Sequence, residues 1–204
     1  YIWPSEMNLT SAWISRYISD LSELTTATQS TAADGSLIES AEAIDWVVGR
    51  LKKLVLDGGK LMVVGNGGSA AIASHVAIDY SKNGKIPAIA FNDPASLTCL
   101  TNDLGYENVF SHHIQMLGNP QDLLFAISSS GESQNILNAA VAAQEKSIPV
   151  VTFSGFSQSN ALRSMGAINF YVPSDAYGFV EIGHLTLCHA ILDFSMGWRP
   201  EGTE

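Results

Sequence analysis

The 204-residue chain has few basic residues, few cysteines and no long apolar run, and each shortage excludes a class of protein. Ten Lys and Arg, scattered singly or in pairs, stand against 20 Asp and Glu, so the net charge is −10. Nucleic-acid binding needs clustered Lys and Arg, so no nucleic-acid partner is expected. Cys99 and Cys188 cannot build a disulfide framework, so a reducing cytoplasmic location is expected. No apolar run approaches the roughly 18 residues of a membrane span, so no membrane partner is expected.

The apolar residues that are present recur with two different periods. Apolar residues three and four positions apart predict a helix over 9–24, and a second helix over about 37–57 ends at Asp57-Gly58-Gly59. Further on, short continuous apolar runs alternate with helix-like segments. The first helix is marked by Leu9, Trp13, Tyr17, Leu21 and Leu24, and the runs are Leu61–Val64, Ile86–Phe91, Leu123–Ile127, Pro149–Phe153 and Ile168–Val172.

Continuous apolar strands are typical of a parallel sheet whose two faces are both covered by helices. We therefore predict a doubly wound α/β fold, a three-layer αβα sandwich with a parallel sheet of about five strands, preceded by N-terminal helices. Residues 1–36 would form an N-terminal helical segment, 37–197 the α/β domain and 198–204 a C-terminal tail.

Two strand-to-helix turns have an unusual composition. Gly65-Asn66-Gly67-Gly68-Ser69-Ala70 follows the first run, and its glycines let a ligand approach the backbone. Ser128-Ser129-Ser130-Gly131-Glu132-Ser133 follows the third and supplies four hydroxyls before a helix. Helix N-termini and hydroxyls can bind a phosphate dianion without Lys or Arg. That the serines only cap helices is the less favoured alternative, because two such turns belong to one sheet.

The first turn also satisfies a relaxed dinucleotide-binding pattern. Gly65-x-Gly67-x-x-Ala70 follows a strand, and Asp93 follows the next strand, where a ribose-binding acid would lie. Asp93 comes later than such an acid normally does, and a dinucleotide site has no use for a second phosphate turn. No Gly-Lys-Ser/Thr closes the turn, so it is not a Walker A loop either.

Four polar residues lie on two of the predicted helices. His75 and Asp79 are four residues apart and share a face, and Glu181 and His189 lie on one side of the last helix, about 80° apart. Two histidines and two carboxylates can bind a divalent metal such as zinc, or divide general acid and base roles, if the two helices converge. The remaining histidines are interpreted as structural or surface residues: His112, His113 and His184.

Four segments, in this order, resemble the SIS (sugar isomerase) domain family and within it the phosphoheptose isomerases, over about residues 40–195. They are GNGGSAAIASHVAIDY (65–80), LTCLTNDLGYENVFS (97–111), LLFAISSSGESQNILNAAVAAQEK (123–146) and EIGHLTLCH (181–189). The resemblance, together with the two turns, implies substrate contacts at these residues: Asn66, Gly67, Gly68, Ser69, Asn102, Asp103, Ser128, Ser129, Ser130, Ser133 and Glu181.

The resemblance also implies a metal, catalytic roles and an assembly. It implies one zinc ion per subunit at His75, Asp79, Glu181 and His189, with proton transfers at Asp79 and His189. It further implies a homotetramer with sites at subunit interfaces, built in part by the N-terminal helices. The chain departs from the family pattern at four positions: Asp79 replaces Glu, Glu181 replaces Gln, Gly178 replaces Asp and Asn83 replaces Arg.

The implied activity is the isomerisation of sedoheptulose 7-phosphate to D-glycero-D-manno-heptose 7-phosphate through an enediol. Two alternatives stay open. One is a non-catalytic SIS scaffold of the type that associates with the replication initiator, although such relatives tend to lose the last-helix histidine, here His189. The other is an SIS isomerase or sensor for another sugar phosphate, such as arabinose 5-phosphate or a hexosamine phosphate.

Overall fold

The computed structural model of the protein describes residues 10–201, in which helices and strands alternate. The α-helices are α1 (Ser11–Thr26), α2 (Ser40–Leu56), α3 (Gly68–Lys82), α4 (Pro94–Leu104), α5 (Val109–Leu117), α6 (Gln134–Glu145) and α7 (Tyr177–Ser195). The strands are β1 (Gln29–Ala32), β2 (Leu37–Ile38), β3 (Leu61–Gly65), β4 (Ala88–Ala90), β5 (Leu123–Ser128), β6 (Val150–Ser154) and β7 (Ile168–Tyr171). Leu9 of the predicted first helix and residues 202–204 of the predicted tail lie outside the described residues.

The predicted fold class is confirmed, with two strands more than expected. The sheet has the order β2-β1-β7-β6-β5-β3-β4, and the five strands from β3 to β7 run parallel, each at one of the predicted apolar runs. The hairpin of β1 and β2 extends the sheet antiparallel to β7. Its turn is marked by Gly35, at φ +81°, and by Asp34, whose carboxylate accepts from the Ser36 backbone N–H at 2.9 Å.

The hairpin lies between α1 and α2, where only helices were predicted. Strand β1, Gln29–Ala32, carries polar side chains and has neither an apolar run nor an alternation of apolar residues. Its pairing with β7 covers an edge that would otherwise expose unpaired backbone groups. The strand therefore forms because of a tertiary contact and not because of its local sequence. Although β1 lies within the predicted segment 1–36, the division of the chain at residue 36 stays a prediction.

The core has two halves, one on each face of the sheet. Residues of α2, α3 and α7 pack on one face, and residues of α5 and α6 pack on the other. In β3, Leu61 and Val63 point to the first half, while Met62 and Val64 point to the second, and all four are fully buried. Burial of each such side chain is worth about 1.5–3 kcal/mol, which makes this strand pattern a strong determinant of the three layers.

Strand order places a crevice above β3 and β5. The chain leaves β3 towards β4 on one side, and then returns to β5 on the other side of β3, so the order of the strands reverses at this point. Ligands of doubly wound sheets bind beyond the carboxyl ends of the strands at such a reversal. The two unusual turns begin here, because Gly65 at the end of β3 pairs with Ile127 of β5.

Helix α1 packs mainly on α7 and leaves one face uncovered. The rings of Tyr17 and Phe179 lie 4.6 Å apart, yet α1 contains no buried residue. Its large exposed side chains are Trp13, Ile14, Tyr17 and Ile18. None of the helices between residues 10 and 201 has both the length and the apolar character needed to cross a membrane.

Candidate functional site

The first turn brings the chain from β3 into α3 with little room for side chains. Gly67, at φ +54°, is the N-cap of α3, in a conformation that favours glycine. A Cβ at Gly65 would lie 2.5 Å from the carbonyl oxygen of Ser69, and a Cβ at Gly68 would clash with the carboxylate of Glu181. The glycines are therefore required by close contacts of the turn with its own helix and with α7.

The second turn is built from serines that bond to one another. Ser128 Oγ lies 3.3 Å from Ser133 Oγ and accepts from the Gly131 backbone N–H at 3.1 Å. Ser130 Oγ accepts from the Glu132 backbone N–H at 3.2 Å. Ser129 is 5 % exposed, and its hydroxyl has no hydrogen-bond partner among the described residues. A buried hydroxyl is rarely left unpaired in a protein, so that of Ser129 is available to bond a water or a ligand at this turn.

The two turns enclose a cavity of about 220 Å³ at the reversal of strand order. All eight residues of the two turns for which a substrate contact was predicted line it, and so do Glu181 and Tyr177 from the start of α7. The full set is Asn66, Gly67, Gly68, Ser69, Ser128, Ser129, Ser130, Ser133, Tyr177 and Glu181. The cavity thus combines the N-termini of α3 and α6 with several hydroxyls and contains no Lys or Arg.

Three of the four predicted metal ligands come together between α3 and α7. His75 Nε2 lies 3.2 Å from His189 Nε2, and His189 Nδ1 lies 3.4 Å from Asp79 Oδ2. Ligand atoms of His75, Asp79 and His189 all lie within 4.8 Å of one another. The other carboxylate oxygen of Asp79 accepts from the side-chain amide of Asn83. The two helices therefore converge in the structure, which is the condition under which these residues can act together.

Glu181 lies outside this group. It is two turns from His189, and the rise of 1.5 Å per residue separates the two by about 12 Å along α7. Its carboxylate lies instead over Gly68, at the cavity. The angular relation between Glu181 and His189 holds, but the axial distance directs the two side chains to different places, so Glu181 as a metal ligand stays a prediction.

Asn102 and Asp103 do not line the cavity. Both are exposed near the end of α4, where the Asn102 side-chain amide donates to the Asp103 carboxylate at 2.8 Å. The next segment does reach the site, because Tyr106 Oη donates to Asn66 Oδ1 at 2.7 Å. A substrate contact at Asn102 or Asp103 stays a prediction.

Residues missed by the sequence interpretation connect the parts of the site. Tyr106 and Asn135 bond to the side chain of Asn66, and Tyr177 lines the cavity. Tyr177 could have been found, since it precedes Glu181 by one helical turn and shares its face. Tyr106 and Asn135 could not, because their contacts to Asn66 are distant in sequence.

Two of the remaining histidines, His184 and His113, have structural surroundings. His184 is fully buried, its Nε2 lies 3.0 Å from the carbonyl oxygen of Ser154, and burial lowers its pKa to about 4. His113 stacks on Phe91 with ring centroids 4.7 Å apart, and burial lowers its pKa too. His184, between Glu181 and His189 in sequence, is therefore neutral near pH 7 and faces the core.

Comparison with known proteins gives a consistent set of relatives. The model of the SIS domain matches residues 17–155. The phosphoheptose isomerase of Cytophaga hutchinsonii is 37% identical over 158 residues, which cover 74% of this chain and 80% of that protein. The structure of a phosphoheptose isomerase from Francisella tularensis matches with a TM-score of 0.78 and 28% identity, over 93% of this chain and 100% of that one. One from Neisseria gonorrhoeae matches with a TM-score of 0.76 and 27% identity, over 89% of this chain and 97% of that one.

Proposed function

The chain belongs to the SIS domain family, with phosphoheptose isomerases as its relatives, and we propose that it converts sedoheptulose 7-phosphate to D-glycero-D-manno-heptose 7-phosphate. The choice of substrate rests on the distance between the first turn and the histidines. Along α3, His75 lies about 10 Å from Gly68 in the first turn. An extended seven-carbon sugar phosphate is long enough to place its phosphate at the turns while C1 and C2 reach the histidines.

The cavity is proposed to hold the phosphate. Free N–H groups at the starts of α3 and α6 point towards negative charge, and Ser129 offers a hydroxyl that has no partner within residues 10–201. Glu181 limits where the phosphate can bind, because its carboxylate already lies at the start of α3 over Gly68. The dianion would therefore bind nearer to the serine turn, at the start of α6.

Asp79 and His189 are proposed to transfer the protons. A base takes a proton from C1 of the ketose, the electron pair of that C–H bond forms the C1–C2 double bond, and the carbonyl oxygen on C2 gains a proton. Return of a proton to C2 and loss of the proton on the C1 oxygen give the aldose. Asp79 and His189 are in contact at 3.4 Å, so one can accept a proton while the other donates one.

The donors of His75, Asp79 and His189 fit a zinc ion. Two imidazole nitrogens at about 2.0–2.1 Å from a tetrahedral zinc lie about 3.3 Å from each other, and the Nε2 atoms of His75 and His189 are 3.2 Å apart. We propose one zinc ion per subunit, held by these three residues. When bound, the ion supplies positive charge that polarises the sugar carbonyl and stabilises the enediolate oxygen.

We also propose a homotetramer whose sites lie at subunit interfaces. The exposed apolar side chains of α1, Trp13, Ile14 and Ile18, form a surface that a second copy can cover. Tyr17 of the same helix contacts Phe179 at the start of α7, close to Tyr177 of the cavity. A copy docked on α1 would therefore adjoin the site. A cytoplasmic location agrees with Cys99 and Cys188, which are both unpaired.

Conversion of sedoheptulose 7-phosphate in D₂O tests the proposed reaction and its enediol together. We expect the aldose to accumulate and solvent deuterium to appear at C2, because the proton taken from C1 can exchange with water at the base. Nuclear magnetic resonance of the sugar measures both. If sedoheptulose 7-phosphate binds but is not converted, the proposal is wrong, and the non-catalytic SIS scaffold becomes the better interpretation. Conversion of arabinose 5-phosphate or a hexosamine phosphate instead would overturn the choice of substrate.

A further inference from the structure

Three segments of the site meet at one side chain, that of Asn66. Asn66 and Asn135 exchange two hydrogen bonds, with the Asn66 amide donating at 2.8 Å and the Asn135 amide donating at 2.9 Å. Tyr106 adds a third, because its hydroxyl donates to Asn66 Oδ1 at 2.7 Å. The side chain of Asn66 thus links the turn after β3, the first helical turn of α6 and the segment between α4 and α5.

These bonds occupy most of the hydrogen-bonding capacity of Asn66. Its carbonyl oxygen accepts twice, and one of its two amide protons is donated, so a single N–H remains for a ligand. Asn135 is only 2 % exposed and its amide reaches no solvent to compensate for a lost partner. A buried amide without its partner is costly, which favours one fixed arrangement of the pair.

The pair spans the reversal of strand order. Asn66 follows β3 and Asn135 follows β5, the neighbouring strand, and the helices that begin at these turns pack on opposite faces of the sheet. A phosphate held between the starts of α3 and α6 requires their N–H groups to stay aligned to within a fraction of an ångström. Asn138, one turn further along α6, strengthens the link, since its amide donates to the Glu107 carbonyl oxygen at 2.9 Å.

We propose that Asn135 and Tyr106 are positioning residues, which act through Asn66 to align the two phosphate-binding turns. This role rests on the proposed function only in that the cavity binds a phosphate group. It does not require that the bound sugar be isomerised. Tyr106 has the further effect of fixing the segment that follows Asn102 and Asp103, so that three parts of the site keep one relative position.

Binding of inorganic phosphate to a set of variants tests the proposal. The variants are Asn66→Ala, Asn135→Ala, the double variant, Tyr106→Phe and, as a control, Gln134→Ala. Gln134 is exposed and belongs to the same turn of α6, and within residues 10–201 its side-chain amide donates to Asn138 and not to Asn66 or Asn135. Isothermal titration calorimetry gives the Kd for phosphate, and the kinetics with sedoheptulose 7-phosphate separate KM from kcat.

We expect Asn135→Ala to weaken phosphate binding about tenfold and Tyr106→Phe about threefold, with Gln134→Ala unchanged. The double variant should bind as the weaker single variant does, because Asn135 acts through Asn66. KM should rise while kcat stays within about twofold, as for a loss of uniform binding.

Several outcomes would overturn the positioning role. Among them are a Kd of wild-type size in Asn135→Ala, a double variant whose loss is the product of the two single losses, and wild-type protein that binds no phosphate. If Asn135→Ala does not fold, Tyr106→Phe decides, since it removes one hydroxyl from a half-exposed ring. Phosphate binding that follows the expected pattern without any isomerase activity supports the positioning role and refutes the proposed reaction.

Discussion

The two ends of the site differ in burial and in the kind of group they present. At the cavity, Ser128 and Ser129 are 4 % and 5 % exposed, and most of the groups that line it are neutral hydroxyls and backbone N–H groups, with Glu181 as its carboxylate. At the other end, the side chains of Asp79 and His189 are 18 % and 42 % exposed. One end is buried and mainly neutral, whereas the other is accessible and presents a carboxylate and imidazoles.

This difference shows how an acidic chain can handle an anionic substrate. The end proposed to bind the phosphate would use partial charges of the backbone, which need no Lys or Arg and stay constant with pH. The end proposed to transfer protons combines a carboxylate with imidazoles, and a cation held by His75 and His189 would balance the charge of the Asp79 carboxylate. Because remote binding energy can position the reacting carbons, the two tasks can be assigned to different residues. Variants at the two ends should therefore change different kinetic constants.

The largest effect is expected at the exposed end. Replacement of His189 by Ala should lower kcat for sedoheptulose 7-phosphate by on the order of 10²–10⁴, because it removes one of the two proposed proton-transfer groups. KM should change little, since the phosphate is proposed to bind elsewhere. Steady-state kinetics measure both constants. His112→Ala is the matched control, as His112 lies on α5 and does not belong to the site. A kcat near that of the wild type would remove His189 from the mechanism.

A second histidine of α7, His184, extends the comparison, because it is fully buried whereas His189 is accessible. The pKa of His184 is about 4 in the folded chain and about 6.5 when unfolded, so the unfolded chain binds a proton that the folded one rejects. The contribution of His184 to the free energy of unfolding is therefore complete above pH 6.5. It decreases as the pH falls towards 4, by up to about 3 kcal/mol.

Urea unfolding of the wild type and of His184→Gln between pH 7 and pH 4 measures this loss. The wild type should lose stability faster than the variant, since Gln does not titrate and can keep the bond to the Ser154 carbonyl oxygen. Equal slopes in the two proteins would show that His184 is not the buried neutral group described here.

A smaller effect is expected at the buried end. Ser130→Ala removes a hydroxyl that is proposed to bind the phosphate. It should raise KM about tenfold and leave kcat within about threefold, because a hydrogen bond to a charged group contributes about 1.5–3 kcal/mol and only part of it is lost. Ser157→Ala, in an exposed loop away from the cavity, is the control. A fall of kcat with unchanged KM would mean that the serine turn takes part in the chemistry.

The layers of the fold could be predicted from the sequence because each parallel strand is an apolar run buried on both faces. Val150 and Val151 of β6 are examples, since both are buried and they belong to opposite halves of the core. The hairpin of β1 and β2 could not be predicted in this way, since Ser30 and Thr31 are polar and are buried only because β1 pairs with the edge of β7. Local pattern identifies elements that the hydrophobic effect forms, but it misses those formed by strand pairing alone.

The positions of the candidate residues were predictable where a motif is continuous in sequence. The two turns and the pair of His75 and Asp79 lie where their spacing indicates. Glu181 was expected beside the histidines from its angle on the helix and from the family resemblance, whereas the rise along α7 puts its carboxylate at the cavity. The bonds of Asn135 to Asn66 join residues 69 positions apart, and no spacing rule connects them.

Parallel measurement of kcat and KM for sedoheptulose 7-phosphate in His189→Ala and Ser130→Ala tests most directly whether binding and proton transfer are separate. We expect kcat to fall by at least about 10² with KM nearly constant in the first variant. In the second, KM should rise about tenfold with kcat nearly constant. If the same constant changes to the same extent in both variants, phosphate binding and proton transfer are not separate, and the assignment of roles is wrong.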